Sequence, residues 1–188
     1  MNTILLGNLI KIRWIAIIGQ LAAIFFVYHF LNIKIPILAS IFIILVSVGI
    51  NIISYFIEKK IKTISNTVAF LFLFFDTTQL GLLLFLTGGI INPFSILILA
   101  PVITSASYLP LFLTVILSTF SIFVIVIINF YSIPLAFKEE FYIPPIYNLG
   151  IVIALIITII FVAIYSYLFA SSSRKISNAL SVAKLQVL

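Results

Sequence analysis

The chain has 188 residues, 64% of them hydrophobic and 7% charged, with a mean hydropathy of +1.42 and a net charge of +6. So few polar groups cannot cover a water-facing surface, and lipid must be the solvent for most of the chain. The lack of cysteine excludes disulfides, thiol redox sensing and thiolate metal sites within these residues, and the lone His29 excludes a His-rich metal site.

In chain order, six segments are long and apolar enough, or nearly so, to cross a bilayer, which takes about 20 residues at about 1.5 Å each. They are Trp14–Leu31, Pro36–Ile57, Thr67–Leu86, Pro93–Tyr108, Leu111–Tyr131 and Tyr147–Phe169. The predicted fold class is all-α: a polytopic membrane protein of six transmembrane helices over residues 1–169, with a short cytoplasmic helix over residues 170–188. The first span is too long for a removable signal peptide and no small-residue cleavage site follows it. The fourth is short and holds Pro101 in its middle, so its boundary with the fifth, around Ser107–Pro110, is the weakest.

Charge sets the orientation. With an even number of spans both termini share one side, which carries Lys11, Arg13, Lys59, Lys60, Lys62, Arg174, Lys175 and Lys184. The other side keeps Lys34 and Lys138, beside Glu139 and Glu140. Both termini are therefore expected in the cytoplasm. These basic residues sit at the ends of apolar runs and form no basic face, so nucleic acid is not an expected partner. The outer loops, Asn32–Ile35, Gly88–Asn92 and Ser132–Ile146, are too short for a ligand-binding ectodomain.

Lipid alone does not explain Asp76, a carboxylate in the middle of the third span. Such a group costs about 2.5–3.5 kcal/mol to insert and usually faces a bundle interior or polar cavity. Gln79, Leu83 and Thr87 continue its helix face. Asp76 either stitches helices together or serves a proton-coupled or ligand-linked site. A turn follows, Thr87-Gly88-Gly89-Ile90-Ile91-Asn92-Pro93-Phe94. Its glycines permit angles closed to other residues, and Asn92 with Pro93 suits an N-cap and first helical position. Isoleucines at a solvent-exposed tip would be odd, so a turn folded back against the bundle or lining an apolar pocket is the other reading. Gln20, Asn51 and Asn129 are expected to bond between helices, and His29 to lie at the interface.

These residues resemble a known family. Arg13-Trp14-Ile15-Ala16-Ile17-Ile18-Gly19-Gln20 resembles the opening of the first span of RegB/PrrB-type redox-sensing histidine kinases. The stretch Asp76-Thr77-Thr78-Gln79-Leu80, the GGxxNPF element Gly88–Phe94, and Leu99-Ala100-Pro101-Val102 with Ser105-Ala106 continue the likeness, so the motifs run from about Lys11 to Ala106. The resemblance implies a membrane sensor domain in the inner membrane of a bacterium, controlling a cytoplasmic kinase according to the redox state of the quinone pool. It gives Gly88, Gly89, Asn92, Pro93 and Phe94 a role in binding ubiquinone or another quinone, with Asp76 and Gln79 less directly attached, and implies no metal. The family's phosphoacceptor histidine, ATP-binding domain and redox-active cysteine follow the last span, whereas this chain stops at Leu188. It is therefore expected not to be catalytic alone, and to reach a response regulator only through a kinase core beyond it. Ile176, Leu180, Ala183 and Val187 form an apolar seam suited to a coiled coil and a homodimer, or else to a helix lying on the membrane. The rival from another class is a small transporter or permease subunit with Asp76 as coupling carboxylate, for which no internal repeat is visible.

Overall fold

Backbone groups in lipid have no water to bond, so a span must satisfy them internally, and helices do so. The computed structural model describes residues 3–30, 33–134 and 144–186 and is almost entirely helical. Its helices are α1 (Leu6–His29), α2 (Ile37–Glu58), α3 (Asn66–Leu86), α4 (Leu99–Tyr108), α5 (Leu111–Tyr131) and α6 (Pro145–Gln186). Two short strands, β1 (Thr3–Leu5) and β2 (Thr63–Ser65), pair antiparallel with Thr3 opposite Ser65. They bind the start of α1 to the connection between α2 and α3, so this strand end of the bundle also holds the start of α3.

Proline marks the helix starts: Pro36 and Pro110 immediately precede α2 and α5, and Pro145 opens α6. There its missing N–H would have had no intrahelical partner. Ser65 caps α3 by accepting from the Val68 amide at 3.4 Å. Five helices, all but α4, are long and apolar enough to cross a membrane. Large apolar side chains such as Phe112, Phe123, Phe130 and Phe161 point outward. The chain is a multi-pass membrane protein.

The fourth expected span is composite. A 3₁₀ helix, Pro93–Ile98, runs into the 10-residue α4. Pro101 therefore lies in the first turn of α4 rather than mid-helix, where its missing N–H is tolerated. At about 2.0 Å per 3₁₀ residue and about 1.5 Å per α residue, the pair extends about 27 Å. It runs from the glycine turn, the opposite end of the bundle, back to the strand end. There Leu109 joins Ile4, Leu9, Ala69, Leu73 and Leu117 in one apolar cluster.

A larger cluster fills the other half, where Leu84, Ile90, Ile98 and Val102 meet Ile128 of α5 and Leu155 and Ile159 of α6. α6 is unbroken over 42 residues, with no interruption at residues 169–170. Beyond the bundle it touches back through Arg174, whose Nη1 donates to the Ser107 carbonyl at 3.0 Å. On the expected seam, Ile176 and Leu180 are exposed, while the side chains of Ala183 and Val187 lie outside the described residues, as do Lys138, Glu139 and Glu140.

Candidate functional site

The polar residues of the spans converge on one face, between α1 and α3. Along α1, Arg13, Ile17 and Gln20 follow at helical spacing on the buried stripe. On α3, Thr77, Gln79, Leu80 and Leu83 are buried and Asp76 is half-buried. The two helices run parallel, so Arg13 and Asp76 meet in the strand-end half, and Gln20, about two turns further along α1, meets Gln79, about one turn further along α3.

Arg13 Nε donates to Asp76 Oδ1 at 3.0 Å. Arg13 Nη2 lies 3.0 Å from the same oxygen, off the line of a hydrogen bond, and Nη1 has no partner among the described residues. The guanidinium instead packs on aromatic faces of α3, with its carbon 5.2 Å from the Phe72 ring centre and 5.7 Å from that of Phe75. Aromatic faces attract a cation and replace part of its lost hydration. Arg13 is sealed, its side chain 4% exposed, while that of Asp76 keeps 20%. Arg13 is thus no interfacial charge of the strand end, as its place after Lys11 had led us to expect; it is a buried partner. Without it the basic excess of that side rests on the remaining lysines and Arg174.

Gln20 and Gln79 form a reciprocal amide pair. Gln20 Nε2 donates to Gln79 Oε1 at 3.2 Å, and Gln79 Nε2 donates to Gln20 Oε1 at 3.0 Å. Each amide nitrogen keeps one further N–H. Asn51, also expected to bond between helices, donates from Nδ2 to the Ile10 carbonyl at 3.2 Å. His29 ends α1 and is exposed, beside Phe25 and Tyr28.

The glycine turn divides into two parts facing different helices. Gly88 and Gly89 have φ of 102° and 62°, angles that suit glycine. Gly89 also sits against the end of α5, where an added Cβ would collide with the Ser132 side chain and lie 2.9 Å from the Ile128 carbonyl oxygen. Ile90 is buried in the cluster with α5 and α6, so the turn does fold back onto the bundle. Asn92 and Phe94 face the other way, toward α1. Asn92 Nδ2 donates to the Thr87 carbonyl at 2.9 Å and to Thr87 Oγ1 at 2.7 Å, and its Oδ1 accepts from the Phe94 amide at 2.8 Å. Its amide is fully engaged in closing the turn and capping the 3₁₀ helix. Pro93 takes the first helical position and is exposed. The Phe94 ring stands edge-on to Phe26 of α1, with centres 6.4 Å apart.

Two adjoining cavities flank this polar seam. A small one of about 30 Å³ lies under the turn, lined by Thr87, Asn92, Phe94, Gln20 and apolar residues of α1 and α3. The larger, about 310 Å³, is a cleft between α1 and α4 with α3 as its floor. Ile12, Ala16 and Gly19 form one wall, Ala100, Pro101 and Thr104 the other, and Asp76 and Gln79 the floor. Ile15, Ala16, Gly19 and Ala100 are exposed, so its mouth faces lipid. Gln20, Leu80 and Leu97 line both cavities. The larger volume falls at the lower end of the range for small-molecule sites, about 300–1,000 Å³.

Of the expected site residues, the structure brings Asp76, Gln79, Asn92 and Phe94 to these adjoining cavities and sets Gly89 against α5, while Gly88 makes the left-handed bend before it. Sequence reasoning missed Arg13 as a member. The available signal was its place on one helical stripe with Ile17 and Gln20.

No protein-family model matches the chain, and no solved structure does. Among curated proteins, the sensor histidine kinase RegB of Cereibacter sphaeroides is 36% identical over 177 residues, covering 93% of this chain and 38% of that protein. The chain thus spans well under half the length of that relative. The alignment nevertheless extends far beyond the motif-bearing stretch from Lys11 to Ala106, into the helices where only the topology had been similar. The chain belongs with the membrane domains of RegB/PrrB-type sensor histidine kinases.

Proposed function

We propose that this chain is the sensor portion of a two-component histidine kinase and responds to the redox state of the quinone pool in a bacterial inner membrane. The observation that carries the reading is the likeness to RegB across 93% of the chain. In this reading six segments cross the membrane, the fourth being the 3₁₀–α pair. Its length of about 27 Å comes within a turn of the hydrocarbon thickness of about 30 Å. Both termini are cytoplasmic, and α6 leads toward a kinase core that acts on a response regulator. The exposed Ile176 and Leu180 favour a homodimer through that helix. The quinone binds beneath the turn, with Phe94 packing on its head group and its apolar tail lying among the spans. Because the Asn92 amide is engaged within the turn, Gln20 and Gln79 are the better donors to a quinone carbonyl.

Equilibrium titration of the reconstituted chain with a short-tailed ubiquinone tests the site. Phe94→Ala is expected to weaken binding about tenfold through lost ring packing, an effect of about 1.4 kcal/mol. Binding as tight as wild type in the folded variant moves the site away from the turn, and no binding by the wild type removes the quinone reading. Orientation is checked separately with Thr63→Cys and Glu139→Cys and a membrane-impermeant thiol reagent on intact cells. Only Glu139→Cys is expected to react.

A further inference from the structure

The face that α2 buries is polar for most of its length. Ser40, Ser47, Asn51 and Ser54 share one stripe with Ile44, at helical spacing, and Glu58 continues it to the strand end. α1 runs antiparallel against this stripe. Asn51 bonds the Ile10 carbonyl and Ile44 packs with Ile17, so Ser47 lies across from the turn of α1 that carries Arg13. Lipid offers no partner to polar groups sealed between two spans, and each must find one inside. Three neighbouring groups do not: Arg13 Nη1, Ser47 Oγ and Asn51 Oδ1 have no partner among the described residues, although their residues are buried. Their needs are complementary. A guanidinium only donates, an amide oxygen only accepts, and a hydroxyl does both.

We propose that the seam between α1 and α2 is a one-ended water path, entered at Glu58, that puts the Arg13–Asp76 pair in proton exchange with the strand-end side. Water both donates and accepts, so molecules standing between Arg13, Ser47 and Asn51 satisfy all three. Room exists at the inner end, where Ser47, Arg13 and Asp76 line the same cleft of about 310 Å³. Toward the strand end, Ser54 donates its hydroxyl proton to the Ile50 carbonyl at 2.8 Å and leaves its oxygen able to accept. At the mouth Gly7 makes room for the Glu58 carboxylate, since a Cβ built there would lie 3.2 Å from Glu58 Oε1. That oxygen also meets Lys62 Nζ at 3.4 Å. In the other direction Ile17, Ile44 and Leu83 form an apolar plug. Ser40, whose hydroxyl is also unpartnered, lies beyond it, near the opposite end of α2. The proton step is simple: hydronium in the seam gives its proton to a carboxylate oxygen of Asp76, which supplies the electron pair, and water remains. Arg13 is the charged group facing Asp76; α2 and α4 bring only hydroxyls to the cleft, and α5 carries no titratable side chain before Tyr131. The path does not rest on the quinone reading.

Water-edited solid-state NMR on the full chain in lipid bilayers tests the path, because magnetisation passes from mobile water only to groups beside it. In wild type the side chains of Arg13, Ser47 and Asn51 should receive it as Glu58 does, while Ile44 in the plug and lipid-facing Leu45 receive none. In D2O the Arg13 Nε–H, which bonds Asp76, should exchange for deuterium. Ser47→Val keeps the volume of the side chain close to that of serine and removes its hydroxyl; it should lose the transfer to Arg13 and keep that to Glu58. The wild-type measurement stands even where the variant fails to fold. Ser47 and Asn51 as dry as Leu45 would overturn the path, and transfer to Ile44 as strong as to Ser47 would overturn its one-endedness. An Arg13 Nε–H that keeps its proton in D2O would remove the proton exchange. Undiminished transfer to Arg13 in folded Ser47→Val would mean that water arrives through the lipid-facing cleft and that the seam is not its route.

Discussion

The two halves of the bundle are held together by different means. Between α1 and α3, apolar contacts such as Leu9 with Leu73 and Ile17 with Leu83 are interrupted by an ion pair and an amide pair, made by side chains 63 and 59 residues apart, next to empty volume. Among α4, α5 and α6 the packing is mainly apolar, and most hydroxyls turn back on their own helices, Thr114, whose Oγ1 donates to the Ser105 carbonyl of α4 at 3.1 Å, being an exception. Ser118 donates to the Thr114 carbonyl, Ser121 to Leu117 and Thr158 to Ala154, each at 3.0 Å or less. A polar pair can trade one partner for a ligand at little cost, whereas interdigitated apolar chains have no alternative partner of equal quality. The polar pairs of the first half thus have alternative partners open to them, whereas the second half is fixed by its shape.

Substitutions should expose that difference, and the largest effect belongs to the ion pair. Asp76→Leu leaves a buried guanidinium unpaired and is expected to cost about 3–5 kcal/mol. Unfolding in detergent would measure it, and the double variant Arg13→Met/Asp76→Leu should recover most of the loss. Without recovery, the strain would lie in the altered α3 packing rather than in the stranded charge.

In the apolar half, Gly89→Ala combines a positive φ with a collision at Ser132 and should cost about 1–3 kcal/mol. Ser132→Gly should relieve only the collision. A full rescue by that second change would mean that backbone angle contributes nothing at this position.

Smaller again is the amide pair. Gln20→Leu alone should destabilise by about 1 kcal/mol, within the range of interhelical hydrogen bonds in membranes. Gln20→Leu with Gln79→Leu should lie closer to wild type, because no unpaired amide is left behind. If the two single losses simply add, the glutamines are not each other's partners. Asn92→Ala, which removes a cap, is expected to cost about 1 kcal/mol as well. It should lower the thermal midpoint of unfolding in detergent.

Much of this arrangement was legible in the sequence, for identifiable reasons. Spans announce themselves through runs of apolar residues, and α5 begins and ends where the run does, at Leu111 and Tyr131. Asp76 stood out because a carboxylate amid phenylalanines and leucines has no cheap solution in lipid. The turn was legible because glycine, asparagine and proline each have a distinct backbone habit. Arg13 was not, because a basic residue two positions from Lys11 looks like an ordinary interfacial charge, and nothing local points to a partner on another helix. The same distance concealed the Gln20–Gln79 pairing. The 3₁₀ segment went unseen because Pro93–Tyr108 is mainly apolar, and composition does not report rise per residue. Nor does the polarity that sets in at Ser171 end α6: serine, arginine and lysine are compatible with a helix already begun.

That unbroken helix has a mechanical consequence. At about 1.5 Å per residue α6 is a rod of about 63 Å, roughly twice the thickness of the hydrocarbon layer. It is gripped along its first part by α4, α5 and the turn, and tethered once more where Arg174 holds the Ser107 carbonyl. Beyond that tether α6 runs on to Gln186, about 18 Å further, and a rod projecting past its support is a lever. A tilt of about 5° at that tether would swing the far end, about 18 Å on, by about 1.6 Å, the scale of helix shifts that switch proteins use. The fold thus has a built-in gain, set by helix length alone, between the bundle and the far end of α6.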